Sequence, residues 1–323
     1  MYTSFVFLIS LSVTFLVIKA TAPRLRQQEL TGQDLNKPDN PVVPEMGGLA
    51  ITFGFASGIL LVIGLQTFLN VFQGVEPVPI LMALLTTFIV AQVGIMDDLI
   101  EVRQLVKATV PLFASLPLVL IKAGQTAMGI PFLGRVEFGI VYPLLLVPVG
   151  VTGAANAVNM LAGFNGLEVG MGVIAVGSLG IIAYFLHAGT AFLLLTAAFG
   201  ALLATLYFNW YPAKILIGDV GTFSIGAIIA SAVILGNFEV AGAIIIIPYL
   251  FDFAIKAFHG FPSRHWWGEY QKGKLHCPEE GPLGLAHIVM KITGGIKERN
   301  LVLALMGLEG LCGLTAILFY LQF

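Results

Sequence analysis

The chain has 323 residues, of which 58% are hydrophobic and only 11% charged, with a formal net charge of −2. Soluble domains carry about 25% charged residues, so the composition excludes an ordinary soluble domain and describes a polytopic membrane protein. The near-neutral sum excludes no partner, because the basic residues are unevenly spread and their distribution carries the information.

A membrane helix takes about 20 mostly apolar residues. On that measure ten spans are predicted, centred on residues 5–21, 47–68, 78–96, 107–123, 140–155, 167–187, 190–208, 220–236, 239–258 and 300–322. The first run, Phe5 to Ile18, leads into Lys19, Arg24 and Arg26 with no small-residue cleavage site, which reads as a retained helix rather than a signal peptide. The fifth span is short and contains Pro143 and Pro148, which predicts a kink or break. Residues 124–138, rich in Gly and marked by Pro131, read as a hairpin at the membrane surface. The expected fold class is thus an all-α polytopic membrane protein: one transmembrane domain over 1–323, with a long polar loop at 259–299. No internal repeat or separate soluble domain is visible. Cys277 and Cys312 lie too far apart in expected membrane depth to pair.

If the first helix runs from outside to inside, loops 22–46, 97–106, 156–166, 209–219 and 259–299 face the cytosol. Of the 16 Lys and Arg, only Lys122 and Arg135 then fall on the outer side, and the positive-inside rule fixes that orientation. The same choice brings Glu45, Asp97, Asp98, Lys107, Asn156, Asn159, Asn165, Glu168, Lys214 and Asp219 to one face.

The densest polar stretch among the apolar runs is AANAVNMLAGFNGLE (154–168). Asn156 and Asn159 share a helix face at a spacing of three, and Asn165-Gly166 is a turn dipeptide. Polar clusters at a membrane edge mark function; an ordinary loop between two helices is the bland alternative. Asp97-Asp98 ends the third span, and adjacent carboxylates there need a cation or a basic partner; the plain reading is a solvated helix end paired with Arg103. Lys107 opens the next span at headgroup depth, where it could hold a lipid phosphate or merely snorkel. Gly218-Asp219-Val220-Gly221 would let a metal-bound phosphate approach, and taken alone it is only a turn signal. In the 259–299 loop, His265, His276 and His287 lack the spacing of a compact zinc site, Trp266 and Trp267 read as interface anchors, and Asp252 with Lys256 reads as an i,i+4 ion pair.

As a set, TGQDLNKPDNPVVPE (31–45), GIMDD (94–98) with Lys107, NAVNMLAGFNGLE (156–168) and GDVGTFSIG (218–226) resemble the polyprenyl-phosphate N-acetylhexosamine-1-phosphate transferases. The resemblance runs in order over nearly the whole chain. The first and third segments look most like the eukaryotic and archaeal branch, which transfers GlcNAc-1-phosphate from UDP-GlcNAc to dolichyl phosphate and starts lipid-linked oligosaccharide synthesis for protein glycosylation. GDVG looks as close to the bacterial phospho-MurNAc-pentapeptide translocases.

The resemblance implies ten transmembrane helices and a cytosolic site using Mg²⁺, with Mn²⁺ as a substitute. It gives Asn159 and Asp219 to the metal, places Asp97 and Asp98 near metal and lipid phosphate, and sets Lys107 on the phosphates. Asn156 would support the sugar-phosphate region, Glu45 would lie near the pyrophosphate, and Asn165 would read the uracil. Gly163 and Glu168 complete the substrate-binding set, to which Arg264 and His276 are added from the last loop. The implied partners are a UDP-N-acetylhexosamine, a polyprenyl phosphate and the bilayer, with no nucleic acid and with homodimerisation allowed. One departure stands out. The eukaryotic branch carries arginines just after Cys-Pro in the last loop, whereas Glu279, Glu280 and Gly281 follow Cys277-Pro278 here. Arg264, His265, Lys274 and His276 are the candidates to replace their charge. The rival class is a secondary transporter, for which paired inverted repeats would be expected.

Overall fold

The computed structural model describes residues 2–100, 102–130, 133–261 and 267–322 as helices joined by three two-stranded antiparallel hairpins. α1 (Tyr2–Gln27) leads into β1 (Thr31–Gln33) and β2 (Val42–Pro44), then α2 (Gly48–Leu69) and α3 (Pro77–Ile100). Next come α4 (Gln104–Ala114), α5 (Leu116–Leu120), and the hairpin β3 (Ala127–Ile130) with β4 (Gly134–Glu137). A π-type turn, Tyr142–Leu146, runs into α6 (Val147–Met160), followed by α7 (Leu167–Phe185), α8 (Gly189–Asn209) and α9 (Gly218–Gly236). The chain closes with α10 (Glu239–Ile245), α11 (Ile247–Phe258), the hairpin β5 (Glu269–Gln271) and β6 (Lys274–His276), α12 (Leu285–Thr293) and α13 (Glu298–Leu321).

The chain is an all-α polytopic membrane protein, but the expected ten spans are corrected in two places. Among the described residues eight helices are long and apolar enough to cross a membrane, with the π-turn and α6 counted together, and the bent pair α10–α11 makes at most a ninth. The expected span 107–123 is instead the short, interrupted α4–α5, where Pro111 and Pro117 each remove a backbone donor. The expected span 239–258 bends by 56° between α10 and α11, where Pro248 in the first turn of α11 cannot continue the hydrogen-bond ladder. The distortion predicted at Pro143 takes the form of the π-type turn. The hairpin predicted over 124–138 is present as β3–β4.

α9 is the central helix: it packs against α2, α3, α6 and α8, and every residue from Val220 to Ile234 is buried. Small residues make this packing close, as is usual where lipid rather than water surrounds a bundle. A Cβ on Gly94 of α3 would lie 2.4 Å from the Val220 nitrogen, and one on Gly226 of α9 would lie 2.5 Å from the Ala154 carbonyl oxygen of α6. Glycine at these two points therefore lets α3 and α6 approach α9 at backbone contact, and both carry chemistry-bearing side chains at the same end of the bundle.

At that end the connecting segments are hydrogen-bonded to one another. Gly47 N–H donates to the Leu216 carbonyl at 2.9 Å and Leu216 N–H to the Pro44 carbonyl at 2.8 Å, tying β2 to the segment before α9. Asn209 bridges two more loops, accepting from Gly166 N–H at 3.1 Å and donating to the Ile215 carbonyl at 2.9 Å. Gly166 adopts φ of +84°, the left-handed turn that the Asn-Gly dipeptide predicts.

Candidate active site

The gathered loops and helix ends enclose a cavity of about 990 Å³. Its wall includes Glu45, Lys107, Asn156, Asn159, Gly163, Asn165, Glu168 and Asp219, so eight of the residues selected from sequence converge there. A second part of the wall is apolar, formed by Leu105, Leu250, Phe253 and Phe261.

The polar wall is built on the first turn of α9. Asp219 Oδ2 lies 3.1 Å from Lys107 Nζ of α4 and 3.3 Å from Asn159 Nδ2 of α6. Thr222, one turn along from Asp219, has its hydroxyl 2.8 Å from Asn159 Oδ1 and 3.1 Å from the Asp219 carbonyl, and its proton can serve either. Lys107 also pairs closely with Asp97 Oδ2, whose other oxygen accepts from Val102 N–H at 2.7 Å. Asp97 is thus held by Lys107 rather than by Arg103.

Its neighbour Asp98 has a different setting. Oδ1 accepts from Asp219 N–H at 2.7 Å and Oδ2 from Val220 N–H at 3.2 Å, so Asp98 caps α9 from a neighbouring helix. Helix N-termini present unpaired donors and a partial positive charge, which a carboxylate satisfies. Gly218, with φ of +66°, gives the room: a Cβ there would lie 2.5 Å from Asp98 Oδ2. Asp98 therefore fixes where Asp219 points. Glu45 follows β2 at the cavity edge; burial, and then the negative charge of Asp219, push its carboxyl above the usual range.

The loop around Asn165 is a closed network. Asn165 is buried, donates from Nδ2 to Asp34 Oδ2 at 3.0 Å, accepts at Oδ1 from Ala213 N–H at 2.8 Å, and sends its backbone N–H to Glu298 Oε1 at 2.8 Å. Lys37 joins the network, 2.9 Å from Asp34 Oδ2 and in close contact with Glu298 Oε2. Glu168 accepts from Gly163 N–H at 2.5 Å, and the Gly163 carbonyl accepts from Asn36 Nδ2 at 2.8 Å. Asn165, Gly163 and Glu168 thus line the cavity while their polar groups shape its loop. Asp34, Asn36, Lys37, Glu298 and Thr222 were not selected from sequence. Asp34, Asn36 and Lys37 lie inside the 31–45 motif, and Thr222 lies one helical turn after Asp219, which is the signal that could have found them.

The remaining selections are these. Arg264, with His265, lies outside the described residues. His276 is absent from the cavity wall, and its ring packs on Gly295, where a Cβ would come 2.2 Å from Cε1. Lys274 on β6 is exposed, as are Glu279 and Glu280. The Asp252–Lys256 pair forms as predicted, at 2.6 Å.

Among the described residues no group of three or more His, Cys, Asp or Glu forms a self-contained metal site. The residues present do fit a divalent cation that completes its shell with substrate phosphates, because Mg²⁺ takes only one or two protein carboxylates in such sites. Asp219 supplies the carboxylate, and turning the Asn159 amide would bring its oxygen to the same side while Nδ2 donates to Thr222. The donor set is all oxygen, as a hard cation prefers.

A model of glycosyl transferase family 4 matches residues 80–237, which contain Asp97, Asp98, Lys107, the 154–168 stretch and Asp219. The chain is 38% identical over 316 residues to a protein of Saccharolobus solfataricus provisionally named UDP-N-acetylglucosamine–dolichyl-phosphate N-acetylglucosaminephosphotransferase, covering 96% of this chain and 94% of the relative. It is 28% identical to the Dictyostelium discoideum protein of that name, over 93% of this chain and 84% of the relative. It is also 31% identical to a phospho-N-acetylmuramoyl-pentapeptide-transferase of Halalkalibacterium halodurans, over 61% of this chain and 62% of that one. With a family model centred on the cavity and a relative matched almost end to end, the chain belongs to glycosyl transferase family 4.

Proposed function

We propose that the protein transfers N-acetylglucosamine-1-phosphate from UDP-N-acetylglucosamine to a dolichyl-type polyprenyl phosphate, releasing UMP, with its cavity facing the cytosol. The observation that carries this reading is the cavity itself, which is lined both by Asp219, Asn159 and Lys107 and by Leu105, Leu250, Phe253 and Phe261. A lipid phosphate needs both surfaces at once. The names of the relatives supply the donor and the lipid.

In the reaction a non-bridging oxygen of the lipid phosphate attacks the β-phosphorus of the UDP-sugar. The bond from that phosphorus to the oxygen bridging the two phosphates breaks, and this oxygen leaves on UMP. The second pKa of a phosphate monoester is about 6, so the acceptor is already dianionic at neutral pH and no proton need be removed. Transfer of this kind depends on positioning and charge neutralisation. Bound Mg²⁺, held by Asp219 and Asn159, would neutralise phosphate charge. Lys107 presents its ammonium to the phosphates from between Asp97 and Asp219. Asp98 holds the first turn of α9 in place, and the network around Asn165 fixes the loop at the nucleotide end. Asp97 and Asp98 organise the site rather than abstract a proton.

The test is UMP release by the purified protein from UDP-N-acetylglucosamine, polyprenyl phosphate and Mg²⁺, with UDP-MurNAc-pentapeptide offered in competition. Release that depends on both substrates and is lost in Asp219→Ala supports the reading. Passage of solute into vesicles without UMP would support a transporter instead, and preferential use of the pentapeptide donor would move the specificity to the bacterial type.

A further inference from the structure

Among the described residues, the cavity wall carries the carboxylates Asp34, Glu45, Glu168 and Asp219 but only two lysines, Lys107 and Lys256. Lys107, between Asp97 and Asp219, is already assigned to the phosphates, and Asp34 is matched by Lys37. Lys256 on α11 remains. Its ammonium pairs with Asp252 Oδ2 at 2.6 Å and donates to the Met160 carbonyl at the end of α6. An ammonium has three N–H donors; these two partners take two, and the third is left for the cavity that the residue lines. Met160 follows Asn159 directly in α6, so the ammonium binds the end of the helix that carries that amide.

This is not a solvated i,i+4 pair on a helix surface. The Asp252 side chain is 2% exposed, and that of Lys256 14%. Asp252 Oδ1 also accepts the first N–H of α12, from Leu285, at 2.8 Å. Gly284 makes that approach possible, since a Cβ there would lie 2.8 Å from Asp252 Oδ1. Asp252 therefore anchors the last loop and the lysine together, and it presets the ammonium in a fixed place. The two glutamates that follow Cys277-Pro278 are exposed and do not line the cavity, so they do not oppose an anion there.

We propose that Lys256 is a substrate-binding residue that contacts a phosphate group of the reactants, either the donor pyrophosphate or the lipid phosphate, with Asp252 as its positioning residue. The proposal rests on the reading of the cavity as a phosphotransfer site, but it is tested by binding, which does not require turnover. Equilibrium binding of UDP-N-acetylglucosamine, of uridine and of polyprenyl phosphate is measured on the full-length protein for wild type, Lys256→Met and Lys256→Arg. Because Lys256→Met strands a buried carboxylate, Lys256→Met/Asp252→Asn serves as the folded control.

A contact to phosphate predicts that the charge-removing variants lose about 10- to 100-fold in affinity for one phosphate-bearing ligand, with uridine binding unchanged and Lys256→Arg close to wild type. Loss with the nucleotide sugar assigns the donor pyrophosphate; loss with the lipid assigns the lipid phosphate. Unchanged affinity for both, or an equal loss for uridine, overturns the proposal. A wild type that binds the nucleotide sugar yet releases no UMP sinks the phosphotransfer reading and leaves the test of Lys256 intact.

Discussion

Two polar regions contribute to the lining of the cavity, and they are built on opposite principles. Around Asn165 every oxygen and nitrogen described above has a partner in the chain: Asp34, Lys37, Glu298 and Ala213 close the network. Around Asp219 the partners are unequal. Lys107 is one cation between two carboxylates, with Glu45 and Asp98 nearby. A closed network rigidifies a loop, whereas a surplus of negative oxygen at a cavity wall awaits a cation and its phosphate. One region holds shape and the other is left unfinished for chemistry.

The sharpest way to break that comparison is to neutralise each centre in turn. Asp219→Asn should lower UMP release by about 100- to 1,000-fold, the scale of removing one preorganised electrostatic group. Its melting temperature should change little, because Oδ2 is held only by side chains at the cavity wall. Parallel losses of activity and of folded protein would place Asp219 with the structural region. Lys37→Met should behave in the opposite way. It leaves Asp34 and Glu298 buried without their cation, a change that costs about 3–5 kcal/mol in buried pairs. The yield of folded protein should fall steeply, while turnover per folded molecule falls far less. A well-folded Lys37→Met with poor nucleotide binding would give that lysine a direct role.

The two adjacent aspartates sharpen the comparison further. Asp98→Ala removes the cap of α9 and should cost about 1–2 kcal/mol of stability, read as a lower denaturation midpoint with activity reduced through the displaced Asp219. Asp97→Asn leaves α9 capped, so it should lower turnover without that loss of stability. If Asp97→Asn were inactive at pH 6 and recovered as pH rose, with Mg²⁺ affinity unchanged, Asp97 would be a base.

How much of this was legible in the sequence follows from distance along the chain. Asn156, Asn159, Asn165 and Glu168 are close neighbours in one stretch, so their joint presence around one cavity could be read directly. The Asp252–Lys256 pair was legible for the same reason. The apolar runs gave the spans, except where Pro111, Pro117 and Pro248 turned a run of adequate composition into broken helices. The separate duties of Asp97 and Asp98 were not legible, because successive side chains on a helix point about 100° apart, what each one meets is set by packing, and the partner of Asp98, Asp219, lies 121 residues further on. Lys37 and Glu298, 261 residues apart, were not legible as a pair, because only the fold joins them. Lys256 was satisfied on paper by Asp252, and only the cavity showed that it faces inward.

Glu45 gives the smallest effect and the one that separates charge surplus from packing. Its folded pKa lies above the ordinary glutamate value because of burial and Asp219. A proton is therefore held more tightly in the folded than in the unfolded protein. Stability from this group is fully present below the unfolded pKa and is lost as pH rises through the folded one. Glu45→Gln keeps the shape and abolishes that titration. With divalent cations chelated, the variant should melt slightly above wild type at pH 7 to 8, and the difference should shrink toward pH 4. Added Mg²⁺ should narrow the gap at neutral pH, because a cation beside Asp219 offsets the repulsion that raises Glu45. A gap independent of pH would mean that Glu45 acts through its packing against Gly32, and the surplus of charge assigned to this wall would then be too small to matter.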